Sequence, residues 1–404
     1  RRNTKVMSVG IYYVESTNAD GAHINKFNHD LVEQLKEACK LPVELTDLEH
    51  LGTYELPIVF IGGGGTEGRF RAVFDKLPKP VILLSTGFNN SLAASLEILS
   101  FLRQNNVKGE VLHGSVEYVA KRIQSLHQTF KAVNRVHNLK IGRVGAPSDW
   151  LISSDVDNET SKKQNGIEIV DVTMEEFFEE IAKKTYVPNE YTEAIVAKNF
   201  HPEDTELCLQ IYGALRRIVD KYHLDGVTVR CFDLLDTVKG TSCLALAILN
   251  AEGIYAGCEG DTPSLISMAV IGEITGKDVF MCNPSRILTD ESKIVLAHCT
   301  LPITMPKSFS CDTHFESGLG VAINGRFDNQ PVTIFKCSGL LDRHFATDAD
   351  IIDNRSERSL CRTQLEIQMG PDDVQYFLTN SIGNHHMVVL GHHKDDVDEF
   401  FKWF

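Results

Sequence analysis

The residues from Gly226 to Asp261 constrain this chain more than any other stretch. Val227-Thr-Val-Arg-Cys-Phe-Asp233 sets apolar residues where a buried strand needs them and an acid where that strand should stop. Thr241–Asn250 (TSCLALAILN) is built of small and apolar residues and predicts a buried helix. The chain then returns through Tyr255-Ala-Gly-Cys to Glu259, which Gly257 and Gly260 flank. Such a strand–helix–strand unit delivers two acids, Asp233 and Glu259, to the ends of neighbouring strands. Ligands of open α/β sheets bind at those carboxyl ends. The spacing, 259 − 233 = 26 residues, is about one such step. Acids at strand ends also serve as helix caps or solvated turn residues. Glu259 fits that role poorly, because Ala-Gly-Cys-Glu-Gly-Asp lacks the Ser, Asn and Lys of an exposed turn.

Around this unit, 404 residues leave room for two or three domains with real cores. A net charge of −15 argues against nucleic acid or an anionic membrane as partner, since a phosphate-binding surface needs a basic excess. No apolar run reaches the length of a membrane span. The leading RRNTKVMSVGIYYV is basic without the apolar core of a signal peptide, so a cytoplasmic location is expected. Ten cysteines include no Cys-x-x-Cys pair, and several, such as Cys208, Cys243, Cys282 and Cys337, sit in apolar runs. They read as reduced, buried thiols rather than a zinc site.

Residues 1–138 alternate strand and helix signals. Strands are expected at Lys5–Val14, Pro57–Ile61, Pro80–Ser85 and Val107–His113, and helices at Asn25–Cys39, Glu67–Lys76, Asn90–Gln104 and Val116–Val133. The pattern is a doubly wound α/β domain. Gly62-Gly-Gly-Gly-Thr-Glu-Gly68 follows a strand and matches G-x-G-x-x-G from Gly63, but the next strand ends in Thr86-Gly-Phe-Asn-Asn, without the acid that holds a ribose. A tight turn, able to offer backbone N–H groups to a ligand, is the better reading.

Residues 139–300 form a second α/β domain, opening at Leu139–Gly145 and carrying both acids. Trp150, one of two tryptophans, lies on its first loop, where a ring can stack on a sugar face or anchor the loop. Helices follow at Met174–Lys184, Asp204–Tyr222 and Thr262–Thr275, with strands at Val279–Cys282 and Lys293–Cys299; His298 closes the last of these as Asp233 and Glu259 close theirs. From Leu301 to residue 404 short alternating runs separated by Gly and Asn predict an antiparallel sheet or barrel. Near its end stands Gly383-Asn-His-His-Met-Val-Val-Leu-Gly-His-His. Successive strand residues point to opposite faces, so at most one of His385 and His386 enters a given site.

Two acids and one imidazole make an O/O/N donor set for a divalent cation: Mn²⁺, or alternatively Co²⁺ or Mg²⁺. Gly383-Asn-His-His-Met-Val-Val and Cys258-Glu-Gly-Asp261 resemble, respectively, the C-terminal histidine motif and the second catalytic acid of the L-fucose/L-arabinose isomerase family. The resemblance extends to domain order: two Rossmann-like, doubly wound α/β domains followed by a C-terminal antiparallel β-barrel-like domain. It implies a metal-dependent aldose–ketose isomerase acting on a small sugar. Asp233, Glu259 and His386 would then hold the metal, with Asp233 and Glu259 as acid and base. His298, which corresponds to a further histidine ligand of some members, is placed with His385 and Trp150 as a sugar contact. The resemblance also implies a homo-oligomer, a trimer or hexamer with shared active sites, in which Trp150 and the Gly62–Gly68 loop reach a neighbour's sugar. A non-catalytic sugar-binding paralogue and a nucleotide-dependent oxidoreductase using the glycine run are the competing expectations.

Overall fold

The structure is a computed structural model that describes residues 7–16 and 21–404. Lys5 and Val6 of the first expected strand lie outside the described residues. The chain divides into two compact units, one of Arg1–Asn134 with Glu399–Phe404 and one of Arg135–Asp398.

In the first unit, β1 (Met7–Val14), β2 (Val43–Thr46), β3 (Tyr54–Ile61), β4 (Val81–Leu84) and β5 (Gly109–Leu112) form a parallel sheet in the order β2-β1-β3-β4-β5. Alternation along the strands builds two cores. Leu56, Ile58 and Phe60 of β3 pack with Val32 and Leu35 of helix Gly21–Ala38 and Ile123 and Leu126 of helix Val116–His137. Val59 and Ile61 turn the other way, onto Phe70, Ala94, Ile98 and Leu102 of helices Glu67–Val73 and Ser91–Gln104. Each large apolar side chain removed from water contributes about 1.5–3 kcal/mol, which makes the sheet core the mainstay of this unit. The glycine run is a turn folded onto its own protein. Gly62 N–H donates to Val14 O (3.0 Å) and Gly64 N–H to Asn89 O (2.7 Å). A Cβ at Gly62 would fall 2.6 Å from Val14 O, so close packing accounts for glycine there.

The second unit holds a parallel sheet of β6 (Lys140–Val144), β7 (Glu168–Val172), β8 (Gly226–Val229) and β9 (Tyr255–Gly257), in the order β7-β6-β8-β9. It is followed by a closed, antiparallel six-stranded barrel. Its members are β10 (Phe280–Leu288), β11 (Lys293–His298), β14 (Pro331–Cys337), β15 (His344–Asn354), β16 (Thr363–Gln368) and β17 (His386–Leu390). The remaining strands, β12 (Ser308–Asp312) and β13 (Ala322–Arg326), pair as a separate hairpin. The expected class, two parallel α/β sheets and then an antiparallel barrel, is the one observed.

Strands β2 and β7 were not anticipated. Both are short, carry acids, and sit at sheet edges, where pairing with a neighbour rather than apolar pattern makes a strand. The helix Thr262–Thr275 is apolar on every side, as a helix buried all round must be. It packs against both β9 and the barrel strands β14 and β17. Polar stitches hold it to the barrel: Ser267 Oγ accepts from Cys337 N–H and donates to Cys337 O, both at 3.1 Å.

Candidate active site

Three strand ends meet on the second sheet. The connection after β6 carries Trp150, that after β8 carries Arg230 to Asp233, and that after β9 carries Cys258 to Asp261. The chain leaves β6 toward β7 on one side and reaches β8 on the other, so this is also a topological switch point. Gly260 N–H donates to Val229 O (2.9 Å) and Ser148 N–H donates to Glu259 O (2.9 Å), which ties the three loops together. At Gly260, with φ +69°, a Cβ would stand 2.5 Å from Ala146 O, so this approach admits only glycine. Glu259 is itself left-handed, φ +63°, a conformation that is uncommon for a residue with a side chain and that clusters at functional sites.

Glu259 is 9% exposed. Its Oε2 accepts from Trp150 Nε1–H at 2.7 Å, and its Oε1 stands 3.6 Å from His385 Nε2. Burial works to raise its pKa, but His385 and the indole N–H outweigh it and hold the carboxyl below its ordinary value. His385, fully buried, places Nδ1 2.7 Å from Asp261 Oδ2. A carboxylate only accepts, so Nδ1 carries the proton and Nε2 is the atom turned to Glu259. At 3.6 Å that atom is within ion-pair range of Glu259 Oε1 but beyond hydrogen-bond reach, and it has no hydrogen-bond partner. Burial opposes a charge on His385, yet its hydrogen bond to Asp261 and the charges of both acids push its pKa up to about 9.

Asp261 does two jobs. It caps helix Thr262–Thr275 by accepting from Ser264 N–H (3.0 Å), and it fixes the His385 ring. Behind it lies Lys336 of β14, fully buried, whose Nζ donates to Ser264 Oγ at 2.6 Å. Burial alone would raise the Asp261 pKa; the Lys336 charge and the His385 hydrogen bond reverse that and hold it far below the carboxylate range. His298, at the end of β11, stacks edge-on to His385 with ring centres 5.4 Å apart, and its Nδ1 lies 3.1 Å from Thr300 Oγ1. Burial first, then the His385 charge, lowers its pKa to about 4.

The sequence-expected residues therefore separate. Glu259, His385, His298 and Trp150 come together. Asp233 begins a short helix, 41% exposed, with both carboxylate oxygens accepting from Arg230 Nε at 3.1 and 3.2 Å. His386 points to the opposite face of the strand from His385: its Nε2 meets Tyr376 OH at 2.8 Å and its Nδ1 meets Asn384 O at 2.8 Å. Tyr376 also lines a cavity of about 670 Å³ with Arg343, His344 and Asn380. Among the described residues, the one trio of His, Cys, Asp or Glu donor atoms within 4.8 Å of one another is Cys258, Glu259 and His298.

Sequence reasoning passed over Asp261, Lys336 and Glu316. The lysine had a signal, a lone cation inside the apolar run Val332-Thr-Ile-Phe-Lys-Cys337. Glu316 comes from the segment between β12 and β13; burial raises its pKa, and it feels the charges of His314 and Glu259. Phe232 joins this rim, edge-on to Trp150 at 4.7 Å and to His314 at 5.8 Å. Among the described residues no helix is long and apolar enough to cross a membrane.

No protein-family model matches the chain. It is 20% identical over 310 residues to the sulfoquinovose isomerases of Priestia aryabhattai and Priestia megaterium, covering 72% of this chain and 69% of each relative. The chain is a distant homologue of a sugar isomerase.

Proposed function

We propose that this protein is a metal-dependent aldose–ketose isomerase that converts a small sugar through an enediol. The observation that carries the reading is Glu259 Oε1 facing His385 Nε2, 3.6 Å apart in a buried site with no hydrogen bond between them. Such a gap, with a fixed carboxylate on one side and an oriented imidazole on the other, suits a divalent cation. The nearby Cys258 and His298 donor atoms add to the fit. Glu259, His385 and His298 would hold the ion, His385 giving up its Nε2 proton on coordination, and Asp261 would act as the outer carboxylate that orients the histidine. The cation, Mn²⁺ or else Co²⁺ or Mg²⁺, supplies Lewis-acid stabilisation of the charge that develops on the sugar oxygens.

The protein's own groups do the rest. Isomerisation moves one proton between C2 and C1 and another between O1 and O2, which calls for two acid–base groups. Glu259 stays ionised because its pKa is lowered, so it can accept a proton, and the Trp150 N–H fixes its orientation. Asp233, tethered to Arg230 on the loop that also carries Phe232, is proposed as the second carboxylate. The exposed faces of Trp150 and Phe232 give a platform for the apolar side of a sugar ring. The substrate is proposed to be an aldose of the fucose or arabinose type; the relatives' name adds a sulfonated hexose to the candidates. The cytoplasmic location and the trimeric or hexameric assembly belong to the same proposal, and light scattering of the purified protein checks the latter.

The experiment is an aldose and ketose panel, sulfoquinovose included, run with Mn²⁺, Co²⁺, Mg²⁺ or a chelator. Turnover that disappears with chelator and returns with metal is expected. Glu259→Gln should lower kcat by roughly a hundred- to ten-thousand-fold with unchanged far-UV circular dichroism. A fully active Glu259→Gln protein removes the assignment. Sugar binding without turnover in any metal favours the non-catalytic paralogue instead.

A further inference from the structure

A thiol belongs to the candidate ion site, and it changes which ion the site should hold. The left-handed backbone at Glu259 breaks the usual alternation of side chains. Consecutive residues then reach the same place: Cys258 Sγ, a Glu259 carboxylate oxygen and a His298 ring nitrogen lie within 4.8 Å of one another, all buried. Cys231, two residues beyond the end of β8, brings a second sulfur to 3.1 Å from Cys258 Sγ. Both cysteines are free. Carboxylate and imidazole alone make a donor set for Mn²⁺ or Mg²⁺, whereas a thiolate shifts preference toward softer ions along the divalent series.

We propose that Cys258 is a metal ligand, and that the site is a mixed thiolate–carboxylate–imidazole centre that binds Co²⁺ or Zn²⁺ more tightly than Mn²⁺ or Mg²⁺. The inference rests on the metal-dependent reading above and deepens it. Coordination requires the thiol to give up its proton to solvent, so metal uptake releases acid. Cys231 stands beside the ligand sulfur as a hydrogen-bond partner, while the histidine and carboxylate complete the ion's surroundings.

The test titrates the full-length, metal-stripped protein with Co²⁺ under a non-thiol reductant, followed by near-ultraviolet absorbance and calorimetry. A sulfur-to-cobalt charge-transfer band should grow in with the binding isotherm. Cys258→Ser should abolish the band and weaken Co²⁺ binding by at least about tenfold, the loss that even an outer supporting contact causes. Cys231→Ser should retain the band. Tight Co²⁺ binding without the band, or a band that survives Cys258→Ser, overturns the thiol assignment and leaves the metal-isomerase reading standing. No Co²⁺ binding by the wild type defeats both. If Cys258→Ser does not fold, the cadmium NMR shift of the Cd²⁺-loaded wild type decides: a sulfur-ligated shift supports the proposal, and one typical of oxygen and nitrogen ligands alone overturns it.

Discussion

His385 and His386 are adjacent, both fully buried, and face opposite surroundings. One ring looks at Asp261, Glu259 and His298. The other lies among Tyr376, Phe345 and Phe377, with Phe377 4.7 Å from it centre to centre and Phe345 stacked on Tyr376 at 3.6 Å. The carboxylates overcome burial and push His385 up to about 9. On the aromatic side burial, reinforced by the nearby Lys336 charge, outweighs the Asn384 carbonyl, and His386 falls to about 3. The lesson is that burial by itself does not determine a histidine's role. The charges on the face it turns to do, and strand alternation assigns the faces.

The sharpest way to break this comparison is to remove each ring in turn. His385→Asn should abolish turnover and weaken Mn²⁺ or Co²⁺ binding by more than the roughly 10–100-fold that loss of an outer partner costs. His386→Asn should instead show as lost stability, about 1–3 kcal/mol for a buried group deprived of its hydrogen bonds. Calorimetry of metal binding beside urea unfolding separates the two. If metal affinity follows His386 and not His385, the assignment expected from the sequence motif is restored.

Next in size is Asp261→Asn, which strips Lys336 of its buried counter-charge. A loss of about 3–5 kcal/mol is expected from urea unfolding. Part of it should return in the double variant with Lys336→Met, because the orphaned cation is then gone as well. The pH dependence has a definite sign. Asp261 has a folded pKa below its unfolded one, so its stabilisation is fully present above about pH 4 and is lost as pH falls further. The wild type should therefore lose stability more steeply below about pH 4 than Asp261→Asn does, and parallel acid curves would count against the pairing. Smallest is Tyr376→Phe, which removes a hydroxyl that bonds His386 Nε2 at 2.8 Å and accepts from Ile382 N–H at 3.1 Å. It should cost about 1 kcal/mol without changing metal affinity. A loss of metal in that variant would mean that the two faces are not independent.

Glu259 was legible from its neighbours, since only a glycine-flanked acid at a strand end suits so close an approach of loops. Lys336 was legible in principle, as a cation in an apolar strand, but its partner lies 75 residues away in sequence (336 − 261 = 75) and no local pattern names it. Asp233 shows the converse: its position in the strand–helix–strand unit was readable, while its engagement with Arg230 depends on a helix that starts at that very residue. The edge strands β2 and β7 were hidden for a similar reason, because pairing with a neighbour outweighs their weak apolar pattern.

Periodicity and glycine placement alone determined the fold class, two parallel sheets and a barrel, because side-chain burial repeats locally along the chain and leaves a readable trace. They also marked the two loops that carry acids and the strand that carries the histidine pair. Only the tertiary structure decided which imidazole meets Glu259, that Asp261 and Lys336 stand behind it, and that a cysteine shares the site. Those are contacts between segments far apart in sequence, set by how the helix Thr262–Thr275 lies against the barrel, and one-dimensional patterns hold no record of them.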